Sequence, residues 1–164
     1  MAKKKAKAKF NDDIVSNQII GKYGDIVEQG TKVLADLQNF KTIGISPALD
    51  LALGGGLREG SVVVMTGDPK TGKTTTSLYF AAKAQAAGKN VVYLNTEGRL
   101  TKENFVGIKG LDPEKIKIVQ ATESKPVVSA EEFLNSLEFY VKNQPDFVAI
   151  IDSVSNMVPQ DELD

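Results

Sequence analysis

The stretch GDPKTGKTTTS contains the residues best suited to chemistry. Gly67, Gly72, Lys73 and Thr74 fit the pattern G-x-x-x-x-G-K-[ST], directly after the apolar string SVVVMT. Glycine permits the dihedrals that turn successive backbone N–H groups inward onto phosphate oxygens, and a helix beginning at the end of the loop adds partial positive charge. On this reading Gly67, Asp68, Pro69, Lys70, Thr71, Gly72, Lys73, Thr74 and Thr75 form a nucleotide-binding loop. Lys73 would reach the β- and γ-phosphates and the Thr74 hydroxyl would ligate Mg²⁺. Asp68 and Lys70 read as variable filler, while Pro69 stiffens the loop. A ligand-free glycine turn between strand and helix is the bland alternative, but all four positions and both flanks match the phosphate pattern.

Two carboxylates extend the site. Magnesium held on phosphates commonly needs a carboxylate as well, and Asp152 closes the apolar string FVAIID. An Asp at a strand end is otherwise a common cap or turn residue. Ser153 beside it would orient that aspartate or sense the γ-phosphate. Hydrolysis also needs a group to orient and deprotonate water. The chain has no His and no Cys, so imidazole, thiolate and the zinc sites built from them are excluded, and a carboxylate at the end of a neighbouring strand is the natural candidate. Glu97, after VVYLNT, would lie at the carboxyl end of a neighbouring strand, on the edge where open α/β sheets bind ligands. Its plain alternative is a solvated loop glutamate.

The elements that must carry these groups follow from the pattern. Residues 61–66, 91–95, 116–120 and 147–152 read as apolar strands, separated by helices, so a parallel sheet with helices on either side is expected. The helix after the loop should run from Thr74 to Ala87 and stop at Gly88. Thr101 starts a short helix and DPEK makes a turn. Ser129 and Glu132 have the spacing of a capping box, opening a helix with Phe133, Leu137, Tyr140 and Val141 on one stripe. Ser46 caps a short helix with Pro47 in its first position, ending at Leu53 before a run of glycines. Upstream, Asp12 or Asp13 caps a helix reaching Ile19 or Ile20, and the glycines of GKYGD interrupt it. A second helix spans Ile26 to Leu37, its apolar face formed by Ile26, Val33, Leu34 and Leu37, available to its own domain or to a neighbouring subunit.

Composition narrows the class. The chain has 164 residues, 41% hydrophobic and 25% charged, which fits a folded domain with its own core. No apolar run approaches the ~20 residues of a membrane helix, and no apolar segment follows the lysines of MAKKKAKAKF, so a cytoplasmic protein without membrane association is expected. Lys3, Lys4, Lys5, Lys7 and Lys9 carry five positive charges within a net charge of −1, leaving −6 on the remainder. The tail is read as solvated, with transient contact to nucleic-acid phosphate as the sharper alternative.

From about Asn39 onward the sequence resembles the RecA family of recombination ATPases, including its phage UvsX-type members. Four ordered segments carry the resemblance: ISPALDLALGGGLREGSVVVMTGDPKTGKTT, VVYLNTEGRLT, LDPEKIKIVQATE and FVAIIDSVSNMVPQDEL. It implies ATP and Mg²⁺ as cofactors, Lys73 and Thr74 on phosphate and magnesium, Glu97 as water-activating base and Asp152 on the metal. It further implies a homo-oligomeric filament on single-stranded DNA that pairs with homologous double-stranded DNA and exchanges strands. The expected fold is α/β, a RecA-like P-loop NTPase core. Its expected divisions are a lysine-rich tail at 1–9, a helical oligomerisation segment at 10–38, with Ile26, Val33 and Leu34 at the subunit interface, and the ATPase core at 39–164.

Two departures accompany the resemblance. The family's adenine-stacking aromatic falls here on Asn104, or on Phe105 if one extra residue is allowed. The chain also ends at PQDELD, after the fourth core strand, so it is expected to correspond to the amino-terminal part of a recombinase. By the resemblance the strands would then lie in the order 3-2-4-gap-1 with two apolar edges unpaired, and the isolated chain would bind nucleotide weakly and lack strand exchange. The competing readings are a RecA-fold helicase or other oligomeric ATPase motor, a P-loop kinase, and an assembly protein timed by hydrolysis. The kinase reading is disfavoured because a kinase lid usually supplies arginines, and this chain has only Arg58 and Arg99.

Overall fold

A computed structural model of the chain describes residues 12–23, 28, 30–38 and 40–163. These fall into two compact units that divide between Phe40 and Lys41. The lysine tail lies outside the described residues, as do Ile26 and the side chain of Leu37.

The first unit holds α1 (Asp12–Tyr23) and α2 (Gly30–Gln38). Helix α1 continues through Gly21, where an interruption was expected. A single helical glycine costs only about 1 kcal/mol relative to alanine, too little to end a helix unaided. On α2 the side chains of Val33 and Leu34 are exposed.

The second unit opens with a small antiparallel ladder. Strand β1 (Thr42–Ile43) leads into α3 (Pro47–Ala52), and the chain returns as β2 (Leu57–Arg58), pairing Ile43 with Leu57. Ser46 caps α3 through Leu49 N–H, as its position before Pro47 predicts. The return needs Gly56, whose φ is +120°, because a Cβ there would lie 2.4 Å from the Ile43 carbonyl oxygen. Two-residue strands give too short a pattern to be read from sequence.

The site rests on α4 (Lys73–Ala86), β3 (Asn90–Asn95), α5 (Lys102–Val106), β4 (Ile116–Val119), α6 (Ala130–Asn143) and β5 (Phe147–Asp152). The strands form a parallel sheet in the order β4-β3-β5, with Tyr93 opposite Ile118 on one side and Ile150 on the other. Side chains alternate between faces along a strand. Val91 and Tyr93 accordingly pack with Leu78, Ala81 and Ala84 of α4, while Val92 and Leu94 pack with Phe133 of α6. Burial on both faces explains why this strand reads as a continuous apolar run. Gln85 on α4 exchanges two hydrogen bonds with the backbone of Asp112, at 2.8 and 2.9 Å, tying the helix to the turn before β4. Lys89, at the start of β3, pairs with Glu59 at 3.0 Å and Asp146 at 3.1 Å.

Two expectations need correction. Residues 61–66 form no strand and pair with none among the described residues, and Val62 and Val64 are 95% and 80% exposed. An apolar run becomes a strand only where a neighbour supplies the opposite half of a hydrogen-bond ladder. The sheet thus reproduces the 3-2-4 part of the expected order, and the first segment stands outside it. On α6, Phe133 is buried and Leu137 and Tyr140 pack against the core, but Val141 is exposed, because one residue further is about 100° around the helix.

Candidate nucleotide site

The phosphate loop joins the unpaired segment to α4. Residues 67–71 are exposed, and Gly72 forms the N-cap of α4 in the left-handed region at φ +91°. Lys70 also has positive φ, +65°, a conformation costing roughly 1–2 kcal/mol for a residue with a Cβ. Inside the loop the Lys73 ammonium donates to the carbonyl oxygens of Gly67 at 2.8 Å and Asp68 at 2.9 Å. The Thr71 hydroxyl donates to the same Asp68 carbonyl at 2.8 Å. Asp68 therefore contributes its backbone to the loop's closure, which its reading as filler did not anticipate. Pro69 and Thr75 are exposed.

Thr74, in the first turn of α4, reaches across to the sheet. Its Oγ1 donates to Asp152 Oδ2 at 2.6 Å, linking the loop to the end of β5. A hydroxyl has one proton and two lone pairs, so Thr74 can keep this bond and still present a lone pair to a cation. The donor set is hard oxygen throughout, as magnesium prefers. Among the described residues no group of three or more His, Cys, Asp or Glu could hold a metal, so a cation here would draw its remaining ligands from phosphate and water. The residues present fit that demand.

Asp152 has a second donor. Tyr93 OH donates to the same Oδ2 at 2.7 Å, and Tyr93 is fully buried. Burial first, then the bond to Asp152, push the phenol well above its ordinary value, so it remains a protonated donor.

Glu97 stands beside this pair because the β3–β5 register brings the strand ends together. Asn95 lies opposite Asp152, and the backbone N–H groups of Thr96 and Glu97 both donate to the Asp152 carbonyl, at 3.1 and 3.2 Å. Ser153 Oγ lies within donating distance of Glu97 Oε1 at 3.0 Å and of Asn156 Oδ1 at 3.1 Å, two acceptors for its one proton, and the Thr96 hydroxyl donates to the Ser153 carbonyl at 2.7 Å. Ser153 thus faces Glu97 rather than Asp152. The Arg99 guanidinium lies 3.7 Å from Glu97 Oε2 but is 82% exposed, so the pair is worth little. Asn95 Nδ2 donates to Gln120 Oε1 at 2.7 Å, joining the tips of β3 and β4.

A cavity of about 220 Å³ lies here, its walls including Lys70, Thr74, Asn95, Glu97, Arg99, Asn104 and Asp152. A larger cavity of about 310 Å³ lies among Lys125, Val127, Ser129, Glu132, Gln160 and Leu163, where Ser129 and Glu132 are occupied in the capping box of α6. It brings no phosphate-binding element with it. Of the two positions considered for adenine stacking, Asn104 lines the smaller cavity and uses its Oδ1 to accept from Thr101 N–H at 2.8 Å. Phe105 packs against the hydrophobic core instead.

Loop, strand-end aspartate and neighbouring glutamate thus meet at one edge of the sheet. A sequence model of the RecA N-terminal domain matches residues 13–164. The chain belongs to the RecA family. Protein RecA of Frankia alni is 32% identical over 142 residues, covering 86% of this chain and 38% of that protein. DNA repair and recombination protein RadB of Methanobrevibacter smithii is 29% identical over 135 residues, covering 80% of this chain and 58% of RadB. Protein RecA of Rippkaea orientalis is 33% identical over 119 residues, covering 73% and 32%. The RecA-family chain therefore spans less than two thirds of the length of these relatives. Among the described residues no helix is long and apolar enough to cross a membrane.

Sequence reasoning did not single out Tyr93, Asn95 or Thr96. Each is a polar group within or just after an apolar strand, and that was the available signal.

Proposed function

We propose that this RecA-family chain carries the Mg²⁺-dependent ATP-hydrolysing site of a DNA recombinase. The protein forms a filament on single-stranded DNA, pairs it with homologous duplex and exchanges strands, with hydrolysis controlling the filament. The observation that carries the reading is the Thr74–Asp152 hydrogen bond at 2.6 Å, which fastens the phosphate loop to a strand-end carboxylate beside Glu97. Family membership and the names of the recombination relatives support the choice of DNA as partner.

In this mechanism the loop's N–H groups and the start of α4 bind phosphate oxygens. Lys73 exchanges its two carbonyl acceptors for phosphate oxygens. Thr74 and Asp152 would hold a magnesium ion, which would supply neutralisation of phosphate charge. Glu97 accepts a proton from the attacking water, with the Ser153 hydroxyl 3.0 Å from its Oε1. Adenine stacking is assigned to neither Phe105, which is half-buried against the core, nor Asn104, which caps its own helix.

The test is ATP hydrolysis by the full-length gene product, with and without single-stranded DNA, beside the Lys73→Ala variant. Hydrolysis stimulated by DNA and lost in the variant is expected. DNA-independent transfer of phosphate to a small acceptor would overturn the reading in favour of a kinase.

A further inference from the structure

Asp152 receives two hydrogen bonds on one oxygen from two kinds of support. Thr74 sits in the first turn of α4, adjoining an exposed loop and the unpaired segment 61–66. Tyr93 sits in the middle of β3, with Ile118 and Ile150 as its ladder neighbours and Leu78 and Ala81 in its core cluster. Tyr93 pairs with Ile150, two residues before Asp152, so the phenol and the carboxylate share one face of the sheet as diagonal neighbours. The ring has no exposed surface, and its packing fixes the hydroxyl independently of the loop. A phenylalanine would fill the same core position without requiring a polar partner. The hydroxyl is buried at a cost met by the carboxylate it contacts.

We propose that Tyr93 is a positioning residue that presets the Asp152 carboxylate for the divalent cation before nucleotide is bound. The proposal rests on the reading of Asp152 as a metal ligand given above. Tyr93 touches neither cation nor nucleotide. It acts by restricting Asp152 to one orientation, with Oδ2 occupied by the phenol and no hydrogen bond reaching Oδ1 among the described residues. Groups that orient a metal ligand from behind typically change metal affinity by about 10–100-fold when removed.

The experiment titrates Mg²⁺ against binding of a fluorescent non-hydrolysable ATP analogue to the full-length protein, and measures binding of the same analogue in chelator. Four proteins are compared: wild type, Tyr93→Phe, Tyr93→Leu and Asp152→Asn. Both Tyr93 variants should raise the half-maximal Mg²⁺ concentration about tenfold or more while leaving affinity in chelator unchanged. In a Tyr93→Phe/Asp152→Asn double variant the two shifts should fail to add. An unchanged Mg²⁺ requirement in Tyr93→Phe, or an equal loss of affinity with and without metal, overturns the proposal. If Asp152→Asn shifts the titration and Tyr93→Phe does not, the positioning role fails and the metal-ligand reading stands. If Asp152→Asn leaves it unmoved, the reading beneath the proposal fails.

Discussion

Two four-residue apolar runs in this chain meet opposite fates. Val91, Val92, Tyr93 and Leu94 are at most 2% exposed, whereas Val62, Val63, Val64 and Met65 range from 46 to 95%. Composition does not distinguish VVYL from VVVM; the neighbours do. The first run lies between β4 and β5 with helices on both faces, and the second pairs with nothing among the described residues. The difference divides the nucleotide site. Its acidic half, Glu97 and Asp152, is mounted on paired strands and cross-braced by Tyr93 and Ser153. Its phosphate half hangs between an unpaired segment and α4, closed by Lys73 on its own carbonyls and fastened across by Thr74.

If the braced half performs the chemistry, Glu97→Gln should lower hydrolysis by about 10²–10⁴-fold while nucleotide binding persists, as steady-state rates beside equilibrium titration would record. Equal loss of binding would instead make Glu97 part of the phosphate grip. The burial contrast has a stability counterpart. Leu94→Ala should cost about 2–5 kcal/mol in denaturant unfolding, against a change within about 0.5 kcal/mol for Val64→Ala. A Val64→Ala cost matching that of Leu94→Ala would mean that the 61–66 segment is covered in solution, and the comparison would break.

A smaller effect sharpens the covered side. Helix α6 shields Val92 and Leu94, and its N-terminus depends on Ser129 accepting from Glu132 N–H while Glu132 accepts from Ser129 N–H. Ser129→Ala should cost about 1 kcal/mol. Hydrogen bonding from Lys125, then from the Ser129 backbone, holds the Glu132 carboxyl below its ordinary value of 4.5. Folded-state depression means the contribution is present above that value and lost as pH falls through the folded one. Glu132→Gln should therefore lower the melting temperature slightly at pH 7, and by progressively less as pH falls below 4.5.

Local signals were the legible ones. The Ser46–Pro47 start of α3 and the Ser129–Glu132 box depend on residues close in the chain, and each was readable from sequence. The loop and the two acids likewise carry a local signal, in their spacing and their places after apolar runs. The braces do not. Tyr93 meets Asp152 and Ser153 meets Glu97 through the register of β3 on β5, across 59 and 56 positions of sequence. The standing of residues 61–66 was misread for the same reason, since burial of an apolar run depends on partners that its own residues do not name.

The central claim is that a triphosphate is gripped by the loop through Lys73 and read by Asp152 at the end of β5 and Glu97 just beyond β3. Calorimetric titration of Mg–ATP into the full-length protein and its Lys73→Ala variant tests it most directly. Saturable binding at one site per chain, weakened at least about tenfold in the variant through loss of a charge-assisted contact, is the predicted result. Equal affinity in the two proteins would contradict it.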